Sequence, residues 1–328
     1  MRKDSSIHKS RTDLAMEAVE ELRVEEEDYP SGISVNHYQE HPQIEIYDVE
    51  VETDDAAEML GKPPGRYITL HSPGLMNRNR SLGEAISTSL QNILSQLLPE
   101  QPEAEILVVG LGNNNATPDA LGPRIINLLM VTRHIGPYIP DDLKGNLRSV
   151  SAVSPGVLGT TGIESEEIIK GILNQINVDA VLTVDALAAR SLDRLFTTVQ
   201  LTDTGIHPGA GVGNNRTPLN EDTLQAPVIA MGVPTVVGAP TIARDTIDIL
   251  VEQLKESGLQ FYQLLDDMGE TERAQLIHEV LSPMVGDMVV TPKEIDVIMR
   301  ESAQILARGV NAALHPEWEA ENMADYLV

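Results

Sequence analysis

The chain has 328 residues, 41% of them hydrophobic and only 3% aromatic, no cysteine, and a formal net charge of −27. That acidity excludes direct binding to a nucleic-acid backbone, which needs clustered Lys and Arg, and to anionic membrane surfaces; the missing thiol excludes disulfides and cysteine chemistry. No apolar run reaches the ~18 residues of a spanning helix, and Met1-Arg2-Lys3 has no apolar stretch behind it, so neither a membrane segment nor a signal peptide is expected.

Residues 1–13 are polar and mixed in charge, the pattern of a flexible lead-in. Residues 14–28 are acidic, yet Leu14, Ala18 and Leu22 at helical spacing predict a short amphipathic helix, broken at Tyr29-Pro30-Ser31-Gly32. Residues 33–52 alternate, as in Ile44-Glu45-Ile46-Tyr47-Asp48-Val49, and predict a strand with one wet face. A turn at Gly61–Gly65 leads to a strand over Arg66–Leu70. From residue 82 the pattern becomes α/β: helix 82–98, buried strand 106–111, helix from Pro118 to about Val131, strand 150–153, helix 164–175 and strand 180–184. Strand 196–201, a glycine-rich loop at 205–215, strand 228–232 and helix 241–254 follow, and the remainder reads as helical. Thr291-Pro292-Lys293-Glu294 looks like a capping box with proline at the first helical position. Aliphatic strands alternating with helices imply parallel strands covered on both faces, with residues 14–80 as an N-terminal extension and 81–328 as the core.

Two aspartates stand out. Asp185 closes the apolar strand Ala180-Val181-Leu182-Thr183-Val184, and Asp119 follows Thr117-Pro118 after the strand Leu107-Val108-Val109-Gly110-Leu111-Gly112-Asn113. An acid at a strand's carboxyl end lies on the rim where open α/β sheets bind ligands. Gly110-Leu111-Gly112 invites a dinucleotide-binding reading, but the third glycine of G-x-G-x-x-G is replaced by Asn115. The plain role for Asp119 is to complement a helix dipole. For Asp185 it is a structural ion pair with Arg190 or Arg124, because a carboxylate in apolar surroundings needs a partner. If the two aspartates share one crevice, they suit acid/base work. His207, in the glycine-rich loop, would add a third ligand for a divalent ion. His134, His278 and His315 read as structural, and no G-x-S-x-G elbow supports a serine triad.

These motifs resemble those of the germination proteases of spore-forming bacteria. The resemblance is carried by Arg11–Ala15, Gly65-Arg66-Tyr67, Leu107–Asn113, Thr117–Pro123, Ser154–Val157, Thr161–Glu164, Val184–Arg190, Gly205–Asn214, Ile277–Leu281, Val290–Glu294 and Asn311–His315. It implies an aspartic-type endopeptidase that degrades small acid-soluble spore proteins in the spore core, a cytoplasmic compartment. It also implies Asp119 and Asp185 as the essential pair, no cofactor, and a homotetramer. The implied fold is a three-layer α/β/α sandwich like that of the hydrogenase maturation proteases, with a mostly parallel sheet and an N-terminal β extension. The metal alternative, Asp119 with Asp185 and His207, comes from that likeness. Thr12-Asp13-Leu14-Ala15-Met16-Glu17 looks like a copy of the family's substrate site, Thr-Glu-Ile-Ala-Ser-Glu. Residues 1–13 would then be a propeptide lost by self-cleavage at Asp13–Leu14, which suits an exposed lead-in. Gly112, Asn113, Pro155, Gly156, His207 and Gly209 are the expected cleft residues. The region after Phe261 looks shorter than in Bacillus members. A non-catalytic binder of spore proteins is the rival outside enzymes; the intact aspartates speak against it.

Overall fold

Long aliphatic runs need cover on both faces, and the chain supplies it with helices on each side of one twisted sheet. The structure, a computed structural model, describes residues 14–20, 22, 29–76, 79–138, 147–209, 216–256 and 288–316. The lead-in at 1–13, the acidic run at 25–28, Asn214 and the segment after Phe261 with His278 lie outside the described residues.

The strands are β1 (Ile33–His41), β2 (Ile44–Val51), β3 (Gly65–His71), β4 (Glu105–Gly110), β5 (Ser149–Val153), β6 (Ala180–Ala189), β7 (Thr198–Thr202), β8 (Val228–Gly238) and β9 (Val289–Val290). Their order across the sheet is β1-β2-β3-β7-β8-β6-β4-β5, with β9 added beside β8. β5, β4, β6 and β8 run parallel. β1, β2, β3 and β7 continue the same sheet as an antiparallel arm, so the N-terminal extension is continuous with the core.

The helices are α1 (Ala15–Glu20), α2 (Asp54–Leu60), α3 (Arg80–Leu97), α4 (Leu121–Ile126), α5 (Leu158–Thr161), α6 (Ser165–Leu173), α7 (Glu221–Leu224), α8 (Ala239–Glu256) and α9 (Ile295–Leu314). On one face α3, α4 and α9 bury Ile86, Leu90, Leu306 and Val310 against Ile106, Val108, Leu182 and Val184. α3 and α9 approach closely: a side chain at Gly309 would come within 2.8 Å of the Ser87 carbonyl, and the Ser87 hydroxyl donates to Ile305 O at 2.8 Å. The other face divides. Ile169 of α6 covers Leu107, Val109 and Val181, while α1 and α2 cover Val49, Val51 and Tyr67. The α/β/α layering expected from the sequence is therefore present.

Several boundaries differ from expectation for local reasons. The alternating stretch 33–52 is a hairpin, turning at Pro42-Gln43. Its second strand has no uniformly wet face: Ile44 and Ile46 are buried on one side, Val49 and Val51 on the other. The helix expected from Pro118 to Val131 is a 3-10 turn over Thr117–Asp119 followed by the short α4. The remainder after α8 is not all helical, because β9 intervenes. The capping box at 291–294 does not form: α9 begins at Ile295, and the N-cap Glu294 makes no side-chain cap bond. The Thr291 hydroxyl is drawn away to donate to Thr235 O at 2.8 Å.

Candidate active site

The rim of the parallel strands is built from glycines that let three backbones touch. β4 ends at Gly110, in register with Val184 of β6, and the Leu111 N–H donates to Val184 O at 2.8 Å. A Cβ at Gly122, at the start of α4, would lie 2.5 Å from Leu111 N and 2.6 Å from Val184 O. Gly112 has φ +111, and a Cβ there would lie 2.1 Å from the Asp119 carbonyl oxygen. The glycines that hinted at a dinucleotide site instead make room for the turn that carries Asp119. That turn packs against both β6 and β8. Asp185 follows directly on Val184, where β4 has ended and β6 runs on beside β8. The structure thus brings the elements bearing Asp119 and Asp185 together on one rim.

Asp119 is half-buried and tightly held. The Asn113 N–H donates to both its carbonyl oxygen and its carboxylate Oδ2, at 2.9 Å each. Burial pushes its carboxyl above the ordinary aspartate range, opposed by that Asn113 N–H. From below, the Thr235 hydroxyl of β8 donates to Pro118 O at 2.6 Å, and the Thr117 hydroxyl donates to Asp296 Oδ1 of α9 at 2.8 Å. Asp185 is only 6% exposed, and its Oδ1 accepts the Ala186 N–H at 2.8 Å. Of its two expected arginine partners, Arg124 directs a guanidinium N–H to Asp296 O at 3.4 Å, and the Arg190 backbone N–H donates to Glu17.

Of the expected cleft residues, Asn113 and Gly112 frame Asp119 directly. Pro155 and Gly156 follow β5, the neighbour of β4, and the preceding Ser154 hydroxyl donates to Gly110 O at 3.0 Å. His207 and Gly209 belong to an excursion pinned by the Ile206–Leu219 bridge, from which Arg216 reaches Glu164 at 3.4 Å. His207 is exposed. Among the described residues no three His, Asp or Glu side chains are grouped to hold a metal ion. Asp119, Asp185 and His207 are not among any such group. His315, read as structural, is fully buried and shares a hydrogen bond with Met130 O at 3.1 Å through Nε2.

The contacts of three residues escaped the sequence reading. Thr235 supports the Asp119 turn, and the only sequence signal for it was an apolar run continuing past Gly232. Gln200 is 5% exposed in β7. Its Oε1 accepts the Ala15 N–H at 3.0 Å, while its Nε2 donates to Ile68 O at 3.1 Å and Leu201 O at 3.0 Å. Glu17, 2% exposed, accepts the backbone N–H groups of Arg190 and Ser191 at 2.9–3.1 Å. No pattern in a single strand or helix announces such long-range pairs.

A family model described as germination protease matches residues 10–259 and 255–327. The chain is 47% identical over 320 residues to the germination protease of Caldanaerobacter subterraneus subsp. tengcongensis, covering 97% of this chain and 98% of that one. It is 43% identical over 320 residues to the Clostridium tetani germination protease, covering 97% of this chain and 99% of that one. The Bacillus subtilis germination protease is 40% identical over 354 aligned positions, covering 96% of each. Those 354 positions exceed the chain's own 328 residues, so that relative carries residues this chain lacks. Among solved structures, the [NiFe] hydrogenase maturation protease HycI of Thermococcus kodakarensis is similar with a TM-score of 0.35 and 14% identity, covering 68% of this chain and 98% of that one.

Proposed function

The chain belongs to the germination protease family, and from that premise we propose that Asp119 and Asp185 hydrolyse peptide bonds in small acid-soluble spore proteins. The family membership makes it a peptidase of spore germination. The aspartic mechanism, the substrate, the zymogen and the homotetramer are our reading. The observation that carries it is the glycine-framed junction, which sets the Asp119 turn against β6 beside the buried Asp185.

In this reading the substrate's scissile carbonyl lies between the two carboxyls. Asp185 takes a proton from a water, whose oxygen bonds to the carbonyl carbon. Asp119, whose proton burial holds more tightly, gives it to the leaving nitrogen as the C–N bond breaks. The proton on Asp185 then returns to Asp119, and the pair is restored. Backbone N–H groups in the glycine-rich segments at 154–162 and 205–209 are available to the developing oxyanion.

The protein is made as a zymogen whose residues 1–13 are released by cutting Asp13–Leu14, within the spore core. Metal-ion chemistry has no assembled ligand set to support it among the described residues. The test is hydrolysis of a Thr-Glu-Ile-Ala-Ser-Glu peptide by wild type, Asp119→Asn and Asp185→Asn. Acid/base catalysis predicts that each substitution lowers kcat by about a hundredfold or more. Equal rates in all three proteins contradict the assignment.

A further inference from the structure

Leu14, Ala15, Met16 and Glu17 are consecutive, and none is more than 8% exposed. Ordinary chain starts are exposed and loosely held, so this seat is unusual for residues beside a cleavage point. Its position is set by the sheet register. Asp185 of β6 pairs with Gly232 of β8, and Gly232 pairs with Gln200 of β7. Residues in register on neighbouring strands point to the same face. Asp185 and Gln200 therefore stand on one face in one row, two strand spacings or about 10 Å apart. Gln200 is fixed by its bonds to Ile68 O and Leu201 O and by the Thr69 hydroxyl, which donates to its Oε1 at 3.2 Å; the same Oε1 takes the backbone N–H of Ala15. Farther along, the chain leaving β6 offers the N–H groups of Arg190 and Ser191 to the carboxylate of Glu17.

We propose that this groove is the substrate subsite for residues downstream of the cut bond, and that Gln200 is its backbone-reading residue. The proposal rests on the protease reading above. An apolar seat takes the first residue after the cut. Gln200 accepts the N–H of the second, here Ala15 with 1% exposure. The Arg190–Ser191 N–H pair takes the acidic side chain of the fourth. In the uncut chain, Leu14–Glu17 fills the groove in place of substrate. Hydrolysis of Asp13–Leu14 adds the water's hydroxyl to the Asp13 carbonyl carbon and its hydrogen to the Leu14 nitrogen, which takes a further proton and becomes an ammonium. Leu14 has no exposed surface, and a charge created there is costly. That cost lifts the segment out and opens the groove to substrate.

The test uses protein that has lost residues 1–13 and peptides containing Thr-Asp-Leu-Ala-Met-Glu. One peptide carries an ester in place of the Leu–Ala amide, which removes the Ala N–H with little change of shape. Another carries Gln in place of the final Glu. Each change is expected to lower kcat/KM by about tenfold, the loss of one buried or charge-assisted hydrogen bond. In Gln200→Met the ester penalty is expected to vanish while the Glu-to-Gln penalty persists, a pattern that general loosening of the fold would not give. Equal cleavage of the amide and ester peptides overturns the proposal and leaves the protease reading intact. An ester penalty undiminished in Gln200→Met removes Gln200 from the role. If wild type cuts no peptide at all, the protease reading fails and this inference with it.

Discussion

The backbone N–H of Asn113 donates to both the carbonyl and the carboxylate of Asp119, at 2.9 Å each. One donor thereby fixes the turn and the side chain together. The carboxyl proposed to protonate the leaving group is held by the same bond that holds its backbone.

Gly112 is where this arrangement is most vulnerable. Gly112→Ala must strain a backbone at φ +111 and push a methyl to 2.1 Å from the Asp119 carbonyl. We expect a stability loss of at least about 1–3 kcal/mol and a loss of activity out of proportion to it, because the carboxyl moves. Urea denaturation beside peptide hydrolysis checks both; a fully active variant contradicts this placement.

Thr235→Val removes the hydroxyl that donates to Pro118 O at 2.6 Å while keeping the side-chain shape. The expected cost is about 1 kcal/mol in stability, with kcat falling and KM little changed, since Thr235 acts through the Asp119 turn. Unaltered kcat would show that the turn needs no support from β8.

Asp119 also sets a pH dependence of stability. Burial raises its folded proton affinity above the unfolded one. Between those two values the native state holds more protons, so the contribution from this group falls as pH rises through the window. Asn at 119 does not titrate. Asp119→Asn should therefore be more stable than wild type at pH 7, and the gap should close as pH falls to about 4, the ordinary aspartate range. Chemical denaturation across that range reads it directly. A gap that does not change with pH contradicts the assignment.

The docked segment gives a fourth expectation. Glu17→Gln weakens the acceptor of the Arg190 and Ser191 N–H groups, from charge-assisted to neutral bonds. Amide exchange in residues 14–20 of the uncut protein should speed by about tenfold, roughly the 1–1.5 kcal/mol difference between such bonds. Unchanged exchange would mean that burial of Leu14 and the Ala15–Gln200 bond hold the segment without Glu17.

Much of this was legible in the sequence. Ile106–Val109 and Ala180–Val184 announced buried strands by their aliphatic runs, and Asp185 declared itself by following one, although β6 continues past it to Ala189. The limits of β6 and β8 were not legible, because Ala186–Ala189 and Val233–Val237 are strands by virtue of pairing with each other. The helix at 118–131 was overcalled because helical spacing says nothing of the backbone contact that Gly122 makes with Leu111 and Val184. Gln200 was invisible, since its role depends on a register running through three strands. His207 looked like a ligand from its loop and from the likeness to metal-binding relatives, and the fold leaves it exposed, with no three-residue ligand group among the described residues.

The proposed partnership of Asp119 and Asp185 in cutting peptide bonds can be tested in one experiment. The most direct measurement is intact mass over time for wild type, Asp119→Asn and Asp185→Asn, each folded and each incubated alone and with a spore-protein peptide. Loss of residues 1–13 and cleavage of the peptide by wild type, with neither event in either variant, is the result expected. Shortening and cleavage at wild-type rates in both variants would make the two aspartates structural and place the chemistry elsewhere.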